Sequence, residues 1–141
     1  MKIYHYGFNE KIITEGIDAS IKREATEAIN ELIYDIYENY FGRDCCVFFN
    51  FDKRDVGDIL FSVEVEELNE KLLYVANQYL ADKLYDKWYK GYNSEDLAVE
   101  IKEYVSSIIP FKEYNNQYEN PELFYLDSIE PSLLKVEYSY L

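Results

Sequence analysis

The segment Asn120-Pro121-Glu122-Leu123-Phe124-Tyr125-Leu126-Asp127 decides the fold class of this chain. Four apolar or aromatic residues in a row follow a proline and a glutamate, and Asp127-Ser128 closes the run. A short apolar run bounded by turn residues predicts a buried strand rather than a helix. Glu122 lies at the mouth of this strand, where we expect its carboxylate to keep access to solvent while the sheet fixes its direction. The segment therefore predicts a C-terminal strand that carries a candidate functional carboxylate.

The N-terminus predicts a strand followed by a short helical turn. Residues 2–6 are rich in β-prone side chains and end at Gly7. Residues 10–15 form a helical turn that stops at Gly16, where a left-handed cap is natural. The chain therefore enters its first long helix after this glycine.

Residues 18–51 predict that long helix and a second strand. Asp18 or Ser20 would cap the helix, Gly42 would end it, and its core positions recur at three- and four-residue steps: Ala25, Ile29, Leu32, Ile33, Ile36 and Tyr40. Residues 45–51 are almost continuously apolar, which predicts a strand buried on both faces. Residues 52–55 then form a polar turn.

The second half of the chain predicts one strand, two helices and two closing strands. Apolar positions alternate with Ser62, Glu64 and Glu66, which predicts a strand with one wet face over residues 59–66. Residues 69–90 predict a helix that buries Leu72, Val75, Tyr79, Leu80 and Leu84. A fourth helix would be capped by Asn93 or Ser94 and closed by Pro110.

Residues 111–120 show neither helical nor strand periodicity, so we predict a loop, and an apolar tail follows from Leu133 to Leu141. The predicted order is β-α-α-β-β-α-α-β-β. This order indicates an α+β fold, with a small mixed or antiparallel sheet flanked by helices, in a single domain over residues 1–141.

Composition narrows the cellular setting and the partners. The chain has 141 residues and a formal charge of −14, which repels polyphosphates and argues against nucleic acid as a direct partner while permitting a basic protein. Cys45 and Cys46 are adjacent, so we expect free buried thiols in a reducing cytoplasm. No apolar run of about 18 residues occurs, so we expect no membrane span.

Most signatures of catalytic or metal sites are absent. The sequence contains no phosphate-binding glycine loop, and one histidine with two adjacent cysteines cannot form a typical zinc site. The remaining candidates are His5, the aromatic strand Val47-Phe48-Phe49 and Glu122. Each of these also has a structural interpretation, because a lone strand histidine and paired aromatic residues are common core residues.

These candidates occur in the order of a known family's motifs. The strand ending Tyr4-His5-Tyr6-Gly7, followed by Ile12-Ile13-Thr14-Glu15-Gly16-Ile17, resembles the opening of ADP-ribosyltransferase-like domains. Val47-Phe48-Phe49 is similar to the family's second motif, an aromatic pair on a strand. Glu122 with the apolar run after it is similar to the family's catalytic-glutamate strand. The resemblance spans nearly the whole chain.

The resemblance implies a small stand-alone transferase that moves ADP-ribose from NAD to a protein or small-molecule acceptor. His5, with Tyr6 and Gly7, would contact the adenosine half of NAD, and Phe48, with Phe49 beside it, would stack on nicotinamide. Glu122 would bind a ribose hydroxyl and stabilise the oxocarbenium-like transition state. The loop at residues 111–120 would then face the acceptor.

Three positions depart from the family pattern. The glycine lies two residues after His5 instead of directly after it, and Phe48 occupies a position where tyrosine is common. Asn120 stands two residues before Glu122, so the Glu-x-Glu pattern of arginine-modifying members is missing. Gln117-Tyr118-Glu119 matches the Gln-x-Glu pattern of other members, which makes Glu119 a rival catalytic residue.

Two alternatives and one accessory contact stay open. The chain could be a non-enzymatic acidic protein that imitates nucleic-acid charge and inhibits a basic partner. It could also keep the transferase fold without catalysis, with Glu122 serving only the structure. Arg43, Lys53 and Arg54 form either a solvated turn or a contact to the NAD pyrophosphate.

Overall fold

The computed structural model describes residues 1–19, 24–37, 40, 46–54 and 57–141, with only the backbone of residues 24–27. Its strands are β1 (Lys2–Gly7), β2 (Val47–Phe49), β3 (Ile59–Glu64), β4 (Leu73–Asn77), β5 (Ile109–Pro110), β6 (Pro121–Tyr125) and β7 (Lys135–Ser139). Its helices are α1 (Lys11–Glu15), α2 (Glu24–Tyr34), α3 (Gln78–Tyr89) and α4 (Ala98–Ser107). The predicted α+β fold is confirmed, and so is the buried C-terminal strand, which is β6.

The strands form two antiparallel sheets that join at one point. The first sheet has the order β1-β3-β7 and the second the order β2-β6-β4-β5. Tyr4 of β1 and Asn50, just after β2, exchange two backbone hydrogen bonds of 2.9 and 2.7 Å. The N-terminal strand therefore meets the second sheet beside β2, and β6 lies one strand further on.

Strand register sorts the side chains of the second sheet onto two faces. Phe49 pairs with Leu123, and Phe48 pairs with Phe124. Residues directly opposite in an antiparallel pair point to the same face, and neighbours along a strand point to opposite faces. Phe124 packs in a core cluster with the helices, and we call that side the helix-covered face. Phe49 and Leu123 belong to the other core cluster, against which residues 111–118 and 133–134 pack, and we call that side the loop-covered face.

The predicted helix over residues 69–90 is wrong in its first half. A 3₁₀ turn at Glu70–Leu72 leads into β4, and α3 begins only at Gln78. The helical spacing of Leu72, Val75 and Tyr79 arose by chance from a strand followed by a helix, and Tyr79 is exposed. β4 lies between β6 and β5, and the Asn77 side chain caps α3 by accepting a hydrogen bond from the Tyr79 amide at 3.1 Å.

The expected wet face of the third strand is wrong at Ser62, whereas the side chains of Glu64 and Glu66 are 44% and 66% exposed. Leu60 and Ser62 of β3 are both buried, because β3 is the central strand of its sheet and is covered on both sides. Glu64 ends the strand, and Val65–Glu67 continues it as a 3₁₀ turn. The polar residue Ser62 is accommodated by a 2.7 Å hydrogen bond from its hydroxyl to Glu137.

Helix α2 is shorter than its apolar stripe predicted. It ends at Tyr34, so Ile36 is exposed and Tyr40 is buried beyond the helix. The residues that lead into Glu24 are not described, so the predicted cap by Asp18 stays a prediction. Ser20, Gly42, Cys45 and the side chain of Ala25 lie outside the described residues.

Helix α4 begins at Ala98 instead of Asn93 or Ser94, because residues 93–97 form a turn in which the Asn93 side chain accepts from the Asp96 amide. The second strand is only Val47–Phe49, and Phe48 keeps part of its surface exposed. Cys46 is buried.

The predicted end of the helical turn at Gly16 is confirmed, but the glycine, with ψ of −166°, does not adopt the expected left-handed cap. Gly16 follows α1 with φ of +80°, a region that disfavours side chains. A Cβ atom there would lie 2.1 Å from the carbonyl oxygen of Ile129. Ile17 and Ile129 exchange two backbone hydrogen bonds of 2.9 Å directly beside it. Gly16 therefore lets the end of α1 lie against the segment that precedes β7.

Candidate functional site

The three strands that carry the motif residues are neighbours in space. β1 carries His5, β2 carries Phe48 and Phe49, and β6 carries Glu122. β1 joins β2 through Tyr4 and Asn50, and β2 pairs with β6. The two ends of the chain therefore meet at the junction of the two sheets.

The carboxylate of Glu122 is buried, which contradicts its predicted access to solvent. Glu122 pairs with Ala76 of β4 and is only 3% exposed. The buried hydroxyl of Tyr104, on α4, donates a 2.9 Å hydrogen bond to its Oε1. β6 is an interior strand, and α4 packs against the sheet beside it, so the start of the strand is not a solvent-facing mouth.

Tyr104 belongs to a hydrogen-bond network that ties Glu122 to the loop before β6. The Ser107 hydroxyl donates to the Tyr104 carbonyl at 2.6 Å and accepts from the Asn77 amide at 3.1 Å. The Tyr118 hydroxyl donates to the Ser107 carbonyl at 2.6 Å. Sequence reasoning missed Tyr104 and Ser107, although Tyr104 lies three residues after Ile101 on the apolar stripe of α4.

His5 is buried and links the two sheets. Its Nδ1–H donates a 2.8 Å hydrogen bond to the carbonyl oxygen of Phe48, which assigns the proton to Nδ1. The imidazole also makes an edge contact with the Phe49 ring, with centroids 6.0 Å apart. These two contacts tie His5 to the backbone and side chains of β2.

The structure does not bring His5 and Glu122 around one cleft. His5 lies two residues after Ile3, which belongs to the loop-covered core cluster, and its ring contacts Phe49 on the same face. Glu122 precedes Leu123, another residue of that face, so its own side chain points to the helix-covered face and reaches Tyr104 there. The sheet itself separates the imidazole from the carboxylate, so the NAD contacts that the resemblance implies for His5 and for Glu122 would lie on opposite faces.

Tyr6 and Gly7 have packing roles in β1. The Tyr6 hydroxyl donates to the Asp52 carbonyl at 3.1 Å and accepts from the Arg54 amide, and burial raises its pKa. A Cβ on Gly7 would lie 2.9 Å from the Phe61 ring and 3.0 Å from Ile12, so only glycine fits without displacing them. These contacts do not test whether Tyr6 and Gly7 bind NAD, so that role stays a prediction.

The remaining candidates lie at the surface or outside the described residues. Glu119 is exposed in the loop just before β6, and Arg54 is exposed as well. Lys53 is exposed and lies 3.8 Å from Glu137. Arg43 lies outside the described residues. Glu119 is thus the more accessible of the two candidate catalytic carboxylates.

The loop over residues 111–120 is anchored by aromatic rings. Phe111–Glu113 forms a 3₁₀ turn, and Phe51 stacks on Phe111 and Tyr114 at centroid distances of 6.2 and 5.4 Å. Burial raises the pKa of the Tyr114 and Tyr118 hydroxyls. The aromatic side chains of the loop thus cover the sheet, and the exposed residues of the loop are Lys112, Glu113, Asn115, Asn116, Gln117, Glu119 and Asn120.

A groove of about 340 Å³ lies between the end of α1 and the segment before β7. Its rim carries the carboxylates of Glu15, Asp18 and Glu130, and none of His5, Phe48 or Glu122 lines it. Among the described residues, no group of three or more His, Cys, Asp or Glu side chains could hold a metal ion. Within the same residues, no helix is both long enough and apolar enough to cross a membrane.

The fold and site define an α+β domain with a buried carboxylate beside the junction of two antiparallel sheets. Comparisons with family models, with curated proteins and with solved structures each found no match.

Proposed function

We propose that this chain is an ADP-ribosyltransferase-like domain that moves ADP-ribose from NAD to a protein or small-molecule acceptor. The proposal is carried by one observation, the adjacency of β1, β2 and β6. His5, Phe48 and Glu122 are each more than 40 positions from the next along the chain, and they occupy neighbouring strands. Packing alone does not require this order of strands.

The proposed site lies on the helix-covered face. Phe48 is opposite Phe124, two residues beyond Glu122 on β6, so the ring and the carboxylate share that face on diagonal positions. Such diagonal neighbours lie about 7–8 Å apart. Phe48 keeps part of its ring exposed for stacking on nicotinamide. The carboxylate of Glu122 is 3% exposed and is oriented by Tyr104, so in this proposal it hydrogen-bonds a ribose hydroxyl after α4 moves aside. A contact of His5 with the adenosine half could be made only from the loop-covered face.

The chemistry balances without a redox step. The bond between the ribose C1′ and the nicotinamide nitrogen breaks, and nicotinamide leaves with the electron pair. The acceptor's nucleophilic atom forms the new bond to C1′, and its proton passes to Glu122 or to water. Glu122 stabilises the positive charge that develops on the ribose, in a buried setting where such an interaction is stronger than in water.

The test measures nicotinamide release from NAD, with and without a cell lysate as the source of acceptor. Glu122→Gln should lower the rate by about 100-fold or more, as expected for loss of a catalytic carboxylate. Glu119→Gln is the matched control, because it makes the same change on an exposed residue three positions earlier. Phe48→Leu keeps the apolar contact with Phe124 but removes the stacking ring, so it should raise the KM for NAD.

Thermal unfolding separates loss of chemistry from loss of fold. NAD at 100 times its Kd should stabilise the wild-type protein by about 2.7 kcal/mol and should still stabilise folded Glu122→Gln. Absence of both nicotinamide release and NAD-dependent stabilisation would refute the proposal and favour a non-catalytic role. Loss of activity in Glu119→Gln but not in Glu122→Gln would move the catalytic carboxylate to the loop.

A further inference from the structure

Four aromatic side chains form an exposed patch at the C-terminal end of α3. This aromatic patch consists of Tyr85, Trp88, Tyr89 and Tyr92, which are 39%, 36%, 78% and 49% exposed. Tyr and Trp are the residues most enriched at the energetic centres of protein interfaces. So much exposed ring surface on one helix end therefore points to a binding partner.

Local geometry makes the patch continuous. Tyr85 and Trp88 stack with centroids 5.9 Å apart, and Tyr89 lies four positions after Tyr85 on the same helix. Gly91, with φ of +94°, turns the chain back so that the Tyr92 amide donates to the Lys87 carbonyl at 3.1 Å. The helix is held to the core by Ala81 and Leu84, so the rings lie beside its buried face.

The cations around the patch are already paired with carboxylates. Lys87 lies 3.0 Å from Glu100, which raises the pKa of the lysine and lowers that of the glutamate. Lys90 lies 3.0 Å from Asp86. Residues 78–103 contain six acidic and four basic residues, and the whole chain carries −14. The surroundings of the patch therefore favour a cationic ligand over an anionic one.

The rings of this helix already contact cations within the chain. The Lys87 ammonium lies 6.0 Å from the centroid of the Tyr92 ring, and the Lys83 ammonium lies 5.7 Å from that of Tyr79. A ring face attracts a cation through its quadrupole, and the flat guanidinium of arginine stacks on it better than an ammonium does. Arginine is therefore the side chain that best fits exposed faces of this kind.

We propose that the aromatic patch docks an arginine-rich segment of a basic protein. Guanidinium groups stack on Trp88, Tyr89 and Tyr92, and the excess of carboxylates steers the segment toward them. A second copy of this chain would fit the aromatic patch less well, because its own formal net charge of −14 would repel the first copy. The inference does not depend on transferase activity, since no residue of the aromatic patch belongs to the proposed NAD site.

The chain provides its own reporter, because Trp88 is its single tryptophan. Titration with a peptide of alternating arginine and glycine should change Trp88 fluorescence saturably, and added salt should weaken binding. The same peptide with lysine in place of arginine should bind more weakly. Equal affinity for the two peptides, or no saturable change, would overturn the proposal.

Two substitutions and a control localise the binding. Tyr89→Ala and Tyr92→Ala should each weaken the arginine peptide about 2- to 30-fold, the range expected for one cation–π contact. Tyr140→Ala, at a tyrosine 67% exposed near the C-terminus, should leave the affinity unchanged. An equal effect of Tyr140→Ala, or sedimentation showing self-association that Tyr89→Ala abolishes, would overturn the docking of a basic segment.

Discussion

Removal of the Tyr104 hydroxyl should destabilise the protein through the carboxylate of Glu122. In Tyr104→Phe the ring volume is retained, but the 2.9 Å hydrogen bond to a nearly fully buried carboxylate is lost. Removal of the partner of a buried hydrogen-bonding group costs about 1–3 kcal/mol, so we expect a loss of that size in the free energy of unfolding. The measurement is urea unfolding at pH 7, with the slope of the transition checked for constancy.

Tyr125→Phe is the matched control on the other face of β6. Its hydroxyl accepts a 3.1 Å hydrogen bond from the Asn69 amide, a neutral pair worth about 0.5–1.5 kcal/mol. Combining Tyr104→Phe with Glu122→Gln should give a smaller loss than the sum of the two single changes, because both remove the same interaction. The inferred coupling between Tyr104 and Glu122 would be contradicted by either of two results. Tyr104→Phe would destabilise the protein no more than Tyr125→Phe does, or the losses of Tyr104→Phe and Glu122→Gln would add up in the double variant.

Two further predictions concern the supports of the fold. Gly16→Ala should lower the free energy of unfolding by clearly more than Gly91→Ala. Both glycines have positive φ, which alone costs about 1–2 kcal/mol for a residue with a side chain, but only at Gly16 would the new Cβ lie against backbone, 2.1 Å from the Ile129 carbonyl oxygen. Equal losses for the two variants in thermal or urea unfolding would contradict this contact. The hydrogen bond from Ser62 lowers the pKa of Glu137, and Lys2 lowers it further by a smaller amount. The ionised Glu137 therefore stabilises the fold fully above the ordinary glutamate pKa, and this stabilisation is lost as pH falls through the lower pKa of the folded protein. Ser62→Ala should therefore lower the free energy of unfolding by about 1.5 kcal/mol at pH 7 and by less at pH 3. The value at pH 7 is the low end for a hydrogen bond to a charged group, because the Glu137 side chain is still 15% exposed. A loss that does not change with pH would contradict this account.

Local patterns in the chain were sufficient for several elements. The apolar run after Pro121 predicted β6, the β-prone N-terminus predicted β1, and Gly16 marked the end of α1. In each case a few adjacent residues carry the signal, because turn residues and side-chain period act over short distances. The division of residues 69–90 between β4 and α3 could not be obtained this way, since the spacing of Leu72, Val75 and Tyr79 fits a helix as well as it fits the observed break.

The burial of the candidate residues depended on which strands lie beside them. Glu122 begins its strand, a position that suggests access to solvent, but β6 is flanked by β2 and β4, and Tyr104 of α4 contacts the carboxylate. Ser62 alternates with apolar residues, yet it is buried and its hydroxyl donates to Glu137. Sequence period tells which residues share a face but does not tell whether that face meets water.

By itself, the sequence determined the existence of the α+β elements, the buried C-terminal strand, the glycine turn after α1 and the strong negative charge. Only the tertiary structure decided that β1, β2 and β6 are neighbours, and that His5 and Glu122 point to opposite faces. The physical reason is that the face of a side chain follows from the pairing of strands far apart in the chain, and a shift of one residue in that pairing reverses it. Here the pairs Tyr4 with Asn50 and Phe49 with Leu123 set the register, and they place the imidazole and the carboxylate on the two sides of one sheet.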